Sequence, residues 1–271
     1  MKLSKSFALI TAGAALVVGL VGCSPSEVVD LIDGGDGPQS EQTTPDFDAP
    51  DGSVADAIRN DLKTEDYDCQ EKDAEEKYDR CDGSYTGNRV KYYGQPWKDV
   101  DDNGCDTRND ILQRDLTDVE VDEDGCKVVG GVLDNPYSED EQITFQPGAV
   151  IQIDHIMPPG YGHYAGMFTE HTQEERVEFA NDPENLVAAK GSDNNEKRDK
   201  LPDRWLPAAE DWNEAAKDGT PTADDLPENT DIQCNYVSDM TYVALKYDLT
   251  LTQKSADAML VVLSTCPDQG F

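Results

Sequence analysis

The sequence predicts an α+β domain stapled by disulfides, and three observations carry that prediction. Strand-like segments crowd the middle of the chain, at residues 126–133, 142–145 and 149–155, where apolar residues alternate or run together. Helix-like segments lie on either side of them, at residues 108–116, 172–179, 238–247 and 252–263. Six cysteines, Cys69, Cys81, Cys105, Cys126, Cys234 and Cys266, follow an export-type N-terminus, the setting in which disulfides persist.

Residues 1–22 read as a signal peptide, with Lys2 and Lys5 ahead of an apolar run from Phe7 to Val21 and the small Gly22 at the cut. That run is too short to span a bilayer comfortably. Leu20-Val21-Gly22-Cys23 resembles a bacterial lipobox, which implies that Cys23 becomes the lipid-bearing first residue of the mature chain. The alternative is ordinary cleavage that leaves a free N-terminal cysteine. Residues 23–64 read as an acidic disordered tether, too poor in large apolar side chains to offset chain entropy, with a short helix near residues 54–62. The folded domain is expected over residues 65–271, long enough for one sizeable core.

Within that domain, residues 92–97 form a turn-rich aromatic segment. Thr172 caps a charged helix whose first turn holds Gln173, Glu174 and Glu175, where the helix dipole favours acids. Cys234 before one C-terminal helix and Cys266 after the next are placed to clip the pair. Proximity likewise pairs Cys69 with Cys81 and Cys105 with Cys126. No pair has C-x-x-C spacing, which argues against a zinc cluster or a redox dithiol.

The residues with chemistry to offer fall between Ile153 and Trp205. The strand ending Ile153-Asp154-His155-Ile156-Met157-Pro158 is followed by Asn181-Asp182-Pro183-Glu184-Asn185-Leu186-Val187 and by Gly191-Ser192-Asp193-Asn194-Asn195-Glu196-Lys197. Imidazole titrates near neutral pH, so His155 can take a proton from water. Asp154 and Asn194 offer two hard oxygen ligands of the kind Mg²⁺ accepts. Neighbours on a strand point to opposite faces, so a bend after His155 is needed for Asp154 and His155 to converge.

Asp-His, a central Asn and Asn-x-x-Lys at this spacing resemble the ββα-metal core of HNH endonucleases. The nine-residue step from Asn185 to Asn194 agrees with the HNH cores of GmrSD-type restriction enzymes and CRISPR effectors. Flanking motifs extend the likeness: the run from Trp97 to Arg108, Arg114-Asp115, Cys126, Asn135-Pro136-Tyr137, the run from Phe179 to Pro183, and Trp205-Leu206-Pro207. In this order they resemble exported bacterial HNH proteins related to the GmrSD restriction enzyme C-terminal domain, over roughly residues 83–250. The Gly- and Tyr-rich stretch from Pro159 to His171 departs from that pattern.

The resemblance implies a disulfide-stapled domain around an HNH core, acting as a metal-dependent endonuclease. It implies Asp154 and Asn194 as ligands of Mg²⁺ or Mn²⁺, His155 as general base, Asn185 as the residue that holds the hairpin loop, and Lys197 as a phosphate contact. The expected substrate is nucleic acid, DNA ahead of RNA. The expected place is the extracytoplasmic face of the membrane, held by lipid or released from it. A rival reading from another class is a non-catalytic surface lipoprotein acting as a calcium-dependent binding module. Its Ca²⁺ loop would use Asp99, Asp101, Asn103 and Asp110, the opening of an EF-hand with a shorter acid at the twelfth position.

The net charge of −35 is unusual for a chain that approaches a polyanion. Part of it lies far from the candidate site, since residues 24–50 carry seven acids and no Lys or Arg. Residues 185–205 hold five bases against four acids. Weak electrostatic steering, with a divalent cation screening phosphate from carboxylate, is the expectation. His163 and His171 lack zinc spacing and are expected on the surface of the variable loop. With no G-x-S-x-G elbow and no Walker loop, readings built on those motifs fall away.

Overall fold

The strands assemble into three small sheets, and the chemistry-bearing segment is a two-stranded ribbon walled between two apolar cores. The computed structural model describes residues 52–69, 88–146, 150–267 and 270–271, with Ala49, Lys77, Tyr78, Cys81 and Tyr85. The expected signal peptide, Cys23 and most of the expected tether lie outside the described residues. Residues 40–271 form one compact unit. No helix among the described residues is long and apolar enough to cross a membrane.

Strand β1 (Lys63–Glu65) pairs in parallel with β7 (Thr250–Thr252). Strands β2 (Leu116–Val121), β3 (Val128–Asp134) and β4 (Gln142–Phe145) form an antiparallel meander. Strands β5 (Ile151–His155) and β6 (Leu186–Lys190) make the antiparallel ribbon, with Asp154 opposite Val187 and His155 opposite Leu186. The helices are α1 (Val54–Asn60), α2 (Arg89–Tyr93), α3 (Thr107–Asp115), α4 (Gln173–Asn181), α5 (Gly191–Lys197), α6 (Glu210–Asp218), α7 (Asp231–Lys246) and α8 (Gln253–Leu263).

The ribbon does not show the half-buried alternation of an exposed sheet, because both its faces are covered. Ile151, Ile153, Leu186 and Ala188 pack with Ile111, Leu112, Leu116 and Leu133 of α3 and the meander. Ala189 and Val187, on the other face, pack into a larger core built from α1, α4, α7 and α8 around Phe179, Trp205, Trp212 and Met240. Helix α5 follows β6 without a loop and starts against β5. A Cβ at Gly191 would run into Val150 and Gln152, so glycine permits that approach.

Several expectations hold, and others are corrected. Thr172 caps α4 through a full capping box with Glu175. The three cysteine pairs are Cys69–Cys81, Cys105–Cys126 and Cys234–Cys266. Helix α3 stops at Asp115, and Leu116 instead opens β2, a strand that was not anticipated. Its Asp118, Glu120 and mostly exposed side chains hide any alternation, and a register shift with positive φ at Asp118 breaks it further. Helix α7 starts at Asp231, so Cys234 lies inside its first turn rather than before it.

The folded part begins earlier than residue 65. Within the expected tether, Val54, Ala57, Ile58 and Leu62 are buried, and α1 packs against α7 and α8. Ser53 caps α1 by accepting from the Asp56 amide. Val54, Ile58 and Leu62 each contribute about 1.5–3 kcal/mol through burial. A chain starting at residue 66 is therefore expected to melt well below one starting at residue 50, by calorimetry, having also lost the partner of β7. Equal melting temperatures would mean that α1 adds nothing to the fold.

Candidate functional site

Asp154 and His155 end β5, and the regular pairing of that strand through His155 sends their side chains to opposite faces. Both are nearly inaccessible, at 4% and 5% exposure. The convergence expected from a bend does not occur within β5, because the bend starts only at Ile156.

On the α5 face, Asp154 meets Lys197. The Lys197 ammonium, with 0% exposure, lies 2.9 Å from Asp154 Oδ2 and donates to the His155 carbonyl at 2.6 Å. The Tyr137 hydroxyl donates to Asp154 Oδ2 at 2.7 Å. Burial pulls the Lys197 pKa down against the opposing charge of Asp154. Burial, then the Asp154 charge, pushes the Tyr137 and Tyr236 hydroxyls well above the usual phenol range. Lys197 was expected to contact phosphate; its full burial in this ion pair corrects that expectation.

Asn194 sits one turn before Lys197 and is half-buried. Its Nδ2 donates to Gln152 Oε1 at 2.9 Å, and Gln152 lies on the same face of β5 as Asp154, one pleat away. That bond leaves Oδ1 as the ligand atom Asn194 has to offer. A carboxylate and an amide oxygen along one strand face are a donor set that suits a hard divalent cation, and a cation there would share Asp154 with Lys197.

Asn185 is fully buried and ties the ends of the ribbon's connection. Its Oδ1 accepts from the Met157 amide at 2.8 Å, while Nδ2 donates to the carbonyls of Met157 and Phe179 at 3.3 and 3.2 Å. On the far face, His155 Nε2 is 3.0 Å from the Ala180 carbonyl and 3.0 Å from Arg89 Nη2, which also donates to Ala180 O at 3.1 Å. Nε2 faces both an acceptor, the Ala180 carbonyl, and a donor, Arg89 Nη2; with Nε2–H given to Ala180 the basic lone pair is on Nδ1, and the Arg89 approach is then a close contact and not a hydrogen bond. Burial, then the Arg89 charge, holds the imidazole well below its usual range, in the neutral form a base requires.

Three supports were missed in reading the sequence. Arg114 donates to the carbonyls of Pro183 and Leu186, and Asp115 accepts from the Ala188 amide, so this pair clamps β6. Asn135 accepts from the Lys190 amide and donates to Glu141 and Asp193. Both belong to flanking motifs that carried the resemblance, but a motif's order does not say what its side chains touch. Arg89 had no signal in the sequence beyond its place before an aromatic run.

In the acidic loop Asn103 donates to Asp101 and Asp110, and Asp99 accepts from the Gly104 amide through Oδ2 while its Oδ1 is buried without a partner. Among the described residues no three His, Cys, Asp or Glu side chains are grouped to hold a metal ion. His163, expected on the surface, is buried among Tyr85, Tyr92 and Phe168. His171 is mostly covered beside Glu175.

The family of GmrSD restriction endonucleases, C-terminal domain, matches residues 106–262, which contain β2 to β7, the ribbon and α5. An uncharacterized secreted protein of Arthroderma benhamiae is 28% identical over 164 residues, covering 60% of this chain and 68% of that protein. No solved structure matches the chain.

Breaking a buried ion pair strands a charge, so Lys197→Met and Asp154→Asn are each expected to cost about 3–5 kcal/mol. The double variant should recover part of the sum, measured by urea unfolding as a double-mutant cycle. Simple additivity would mean that the pair is not coupled. A second prediction concerns Asp239, whose carboxyl faces a cleft lined by Tyr137, Ile156, Val187 and Tyr236 and is pushed up to about 6 by desolvation. A raised folded pKa favours the folded state below the unfolded value of 3.8 and loses that advantage as pH rises through about 6. Asp239→Asn should therefore gain stability relative to the parent between pH 4.5 and 7, and a pH-independent difference would refute the shift.

Proposed function

The chain belongs to the family of GmrSD restriction endonuclease C-terminal domains, and on that premise we propose that it is a divalent-metal-dependent nuclease of the HNH type. Its substrate in this reading is nucleic acid, and the family's association with restriction endonucleases favours DNA over RNA. The observation that carries the reading is the unit of β5, β6 and α5, which holds Asp154, Asn185, Asn194 and Lys197 together and fixes His155 through its Nε2.

Hydrolysis of a phosphodiester needs a deprotonated water and a sink for charge on the leaving oxygen. Neutral His155, oriented by Ala180 O, takes the proton on Nδ1 as the water oxygen bonds to phosphorus in line and the bond to the 3′ oxygen breaks. The product then carries a 5′-phosphate. Asp154 and Asn194 would hold Mg²⁺ or Mn²⁺, and the charge supplied by that ion when bound favours departure of the 3′ oxygen. Lys197 balances Asp154 and, through the His155 carbonyl, fixes the end of β5. Since Asp154 and His155 leave opposite faces, a phosphate served by both lies across the end of the ribbon. Arg89 and Trp97 border that position on one side, and Lys197 on the other must give way to admit the cation.

We place the enzyme outside the cell, tethered by lipid on Cys23. This rests on the basic start, apolar run and Leu20-Val21-Gly22-Cys23 of the leader, with support from the secreted relative. Removing a general base typically lowers a rate by about 10²–10⁴-fold. His155→Ala in the full chain is expected to reduce metal-dependent cutting of plasmid and single-stranded substrates by that order, with EDTA abolishing the parent's activity. Undiminished cutting by the variant would remove His155 from the mechanism.

A further inference from the structure

We propose that Arg89, seated on Trp97, takes the substrate's phosphate beside His155; the inference rests on the nuclease reading above. Arg89 opens α2 and reaches across to the far face of the ribbon, where its Nη2 meets His155 Nε2 and Ala180 O at 3.0 and 3.1 Å. Its guanidinium lies 5.1 Å from the centre of the Trp97 ring, and that ring is 6.4 Å from the imidazole. Arginine, aromatic ring and candidate base thus share one small patch.

Arg89 has no counter-charge among the described residues. In a chain with 57 acids and 22 Lys and Arg, no carboxylate pairs with this partly buried guanidinium among the described residues. The groups that act on its charge are the hydroxyls of Tyr85 and Tyr93, and burial dominates both. Arg59, Arg114 and Arg204, by contrast, each lie against an aspartate. A desolvated cation without a counter-charge is held against its own electrostatics, and an anion that arrives with the substrate supplies the missing partner. A guanidinium has five N–H donors in a planar fork, and the Ala180 carbonyl engages only Nη2, which leaves donors for two phosphate oxygens.

Trp97 contributes a platform. Its backbone is left-handed, with φ 58°, a conformation uncommon for a bulky aromatic. The next amide, of Lys98, donates to Asn181 Oδ1 at 3.1 Å, which holds the segment against the end of α4. Set over the ring, the guanidinium is held by Trp97 on one face and by the Ala180 carbonyl at Nη2.

The test uses the full chain and a phosphorothioate single-stranded oligonucleotide in EDTA at low salt, followed by tryptophan emission. Trp205 and Trp212 are buried, so Trp97 is the tryptophan whose emission a ligand at Arg89 would change. Inorganic phosphate at equal phosphate concentration forms the second arm. Loss of a charge-assisted contact predicts that Arg89→Met weakens oligonucleotide binding and raises KM for cleavage roughly ten- to hundredfold. Arg89→Lys, which keeps the charge but not the fork, should fall between, and it is the variant to read should the methionine form fail to fold. His155→Ala should still bind. Parent-like binding and KM with only kcat reduced would overturn the proposal and make Arg89 a prop for His155. Equal binding of inorganic phosphate would overturn the nucleic-acid assignment. Loss of oligonucleotide binding in Arg89→Met, with a parent that cuts nothing, would sink the nuclease reading and leave the phosphate site standing.

Discussion

The ion pair between Lys197 and Asp154 is the contact on which the rest of the site depends. A two-stranded ribbon is marginal on its own, and this one has a helix of seven residues behind it. Lys197 converts the pair of strands and the helix into one object, because its ammonium bonds the Asp154 side chain and the His155 carbonyl together. Water is excluded from that contact, so separating the charges is far harder than at the surface. An apolar pair of the same volume could hold the elements as firmly. What it could not do is keep a carboxylate desolvated at the end of a strand, balanced by a buried cation.

The two faces of the ribbon solve different electrostatic problems. On the α5 face an acid is neutralised by a base, with the Tyr137 hydroxyl sharing the carboxylate. On the opposite face no acid among the described residues contacts the imidazole, which sits beside an arginine and a tryptophan. The chain's heavy negative charge is thus absent from the patch around His155, which is where a polyanion would have to come. The global charge slows the approach of such a ligand, while the local arrangement decides whether it can stay.

Much of this was legible in the sequence because it is local. The cap at Thr172, the nearest-neighbour disulfides and the step between Asn185 and Asn194 are set by residues close together in the chain. Other features depend on partners far away. Ile151 and Ile153 could be read as the inner face of a strand, but the cover over Asp154 comes from Tyr137 and Lys197, which pattern does not bring together. Helix α1 was read as a helix yet left in the tether, since the acids around Val54 and Ile58 lower the local average while three or four side chains suffice to dock it. Arg89 was invisible for the same reason: its meaning lies in the carboxylate it does not meet.

The opposite orientation of Asp154 and His155 also has a mechanical consequence. Each side chain has its own support, α5 for the carboxylate and the end of α4 for the imidazole, through the Ala180 carbonyl. Asn185 ties the segment just after β5 to the second of these supports, binding Met157 and Phe179, one residue before Ala180. A displacement of α5 that frees Asp154 from Lys197 also removes the bond from Lys197 to the His155 carbonyl. Asp154 and His155 are therefore coupled through the last peptide of β5, although no contact joins their side chains.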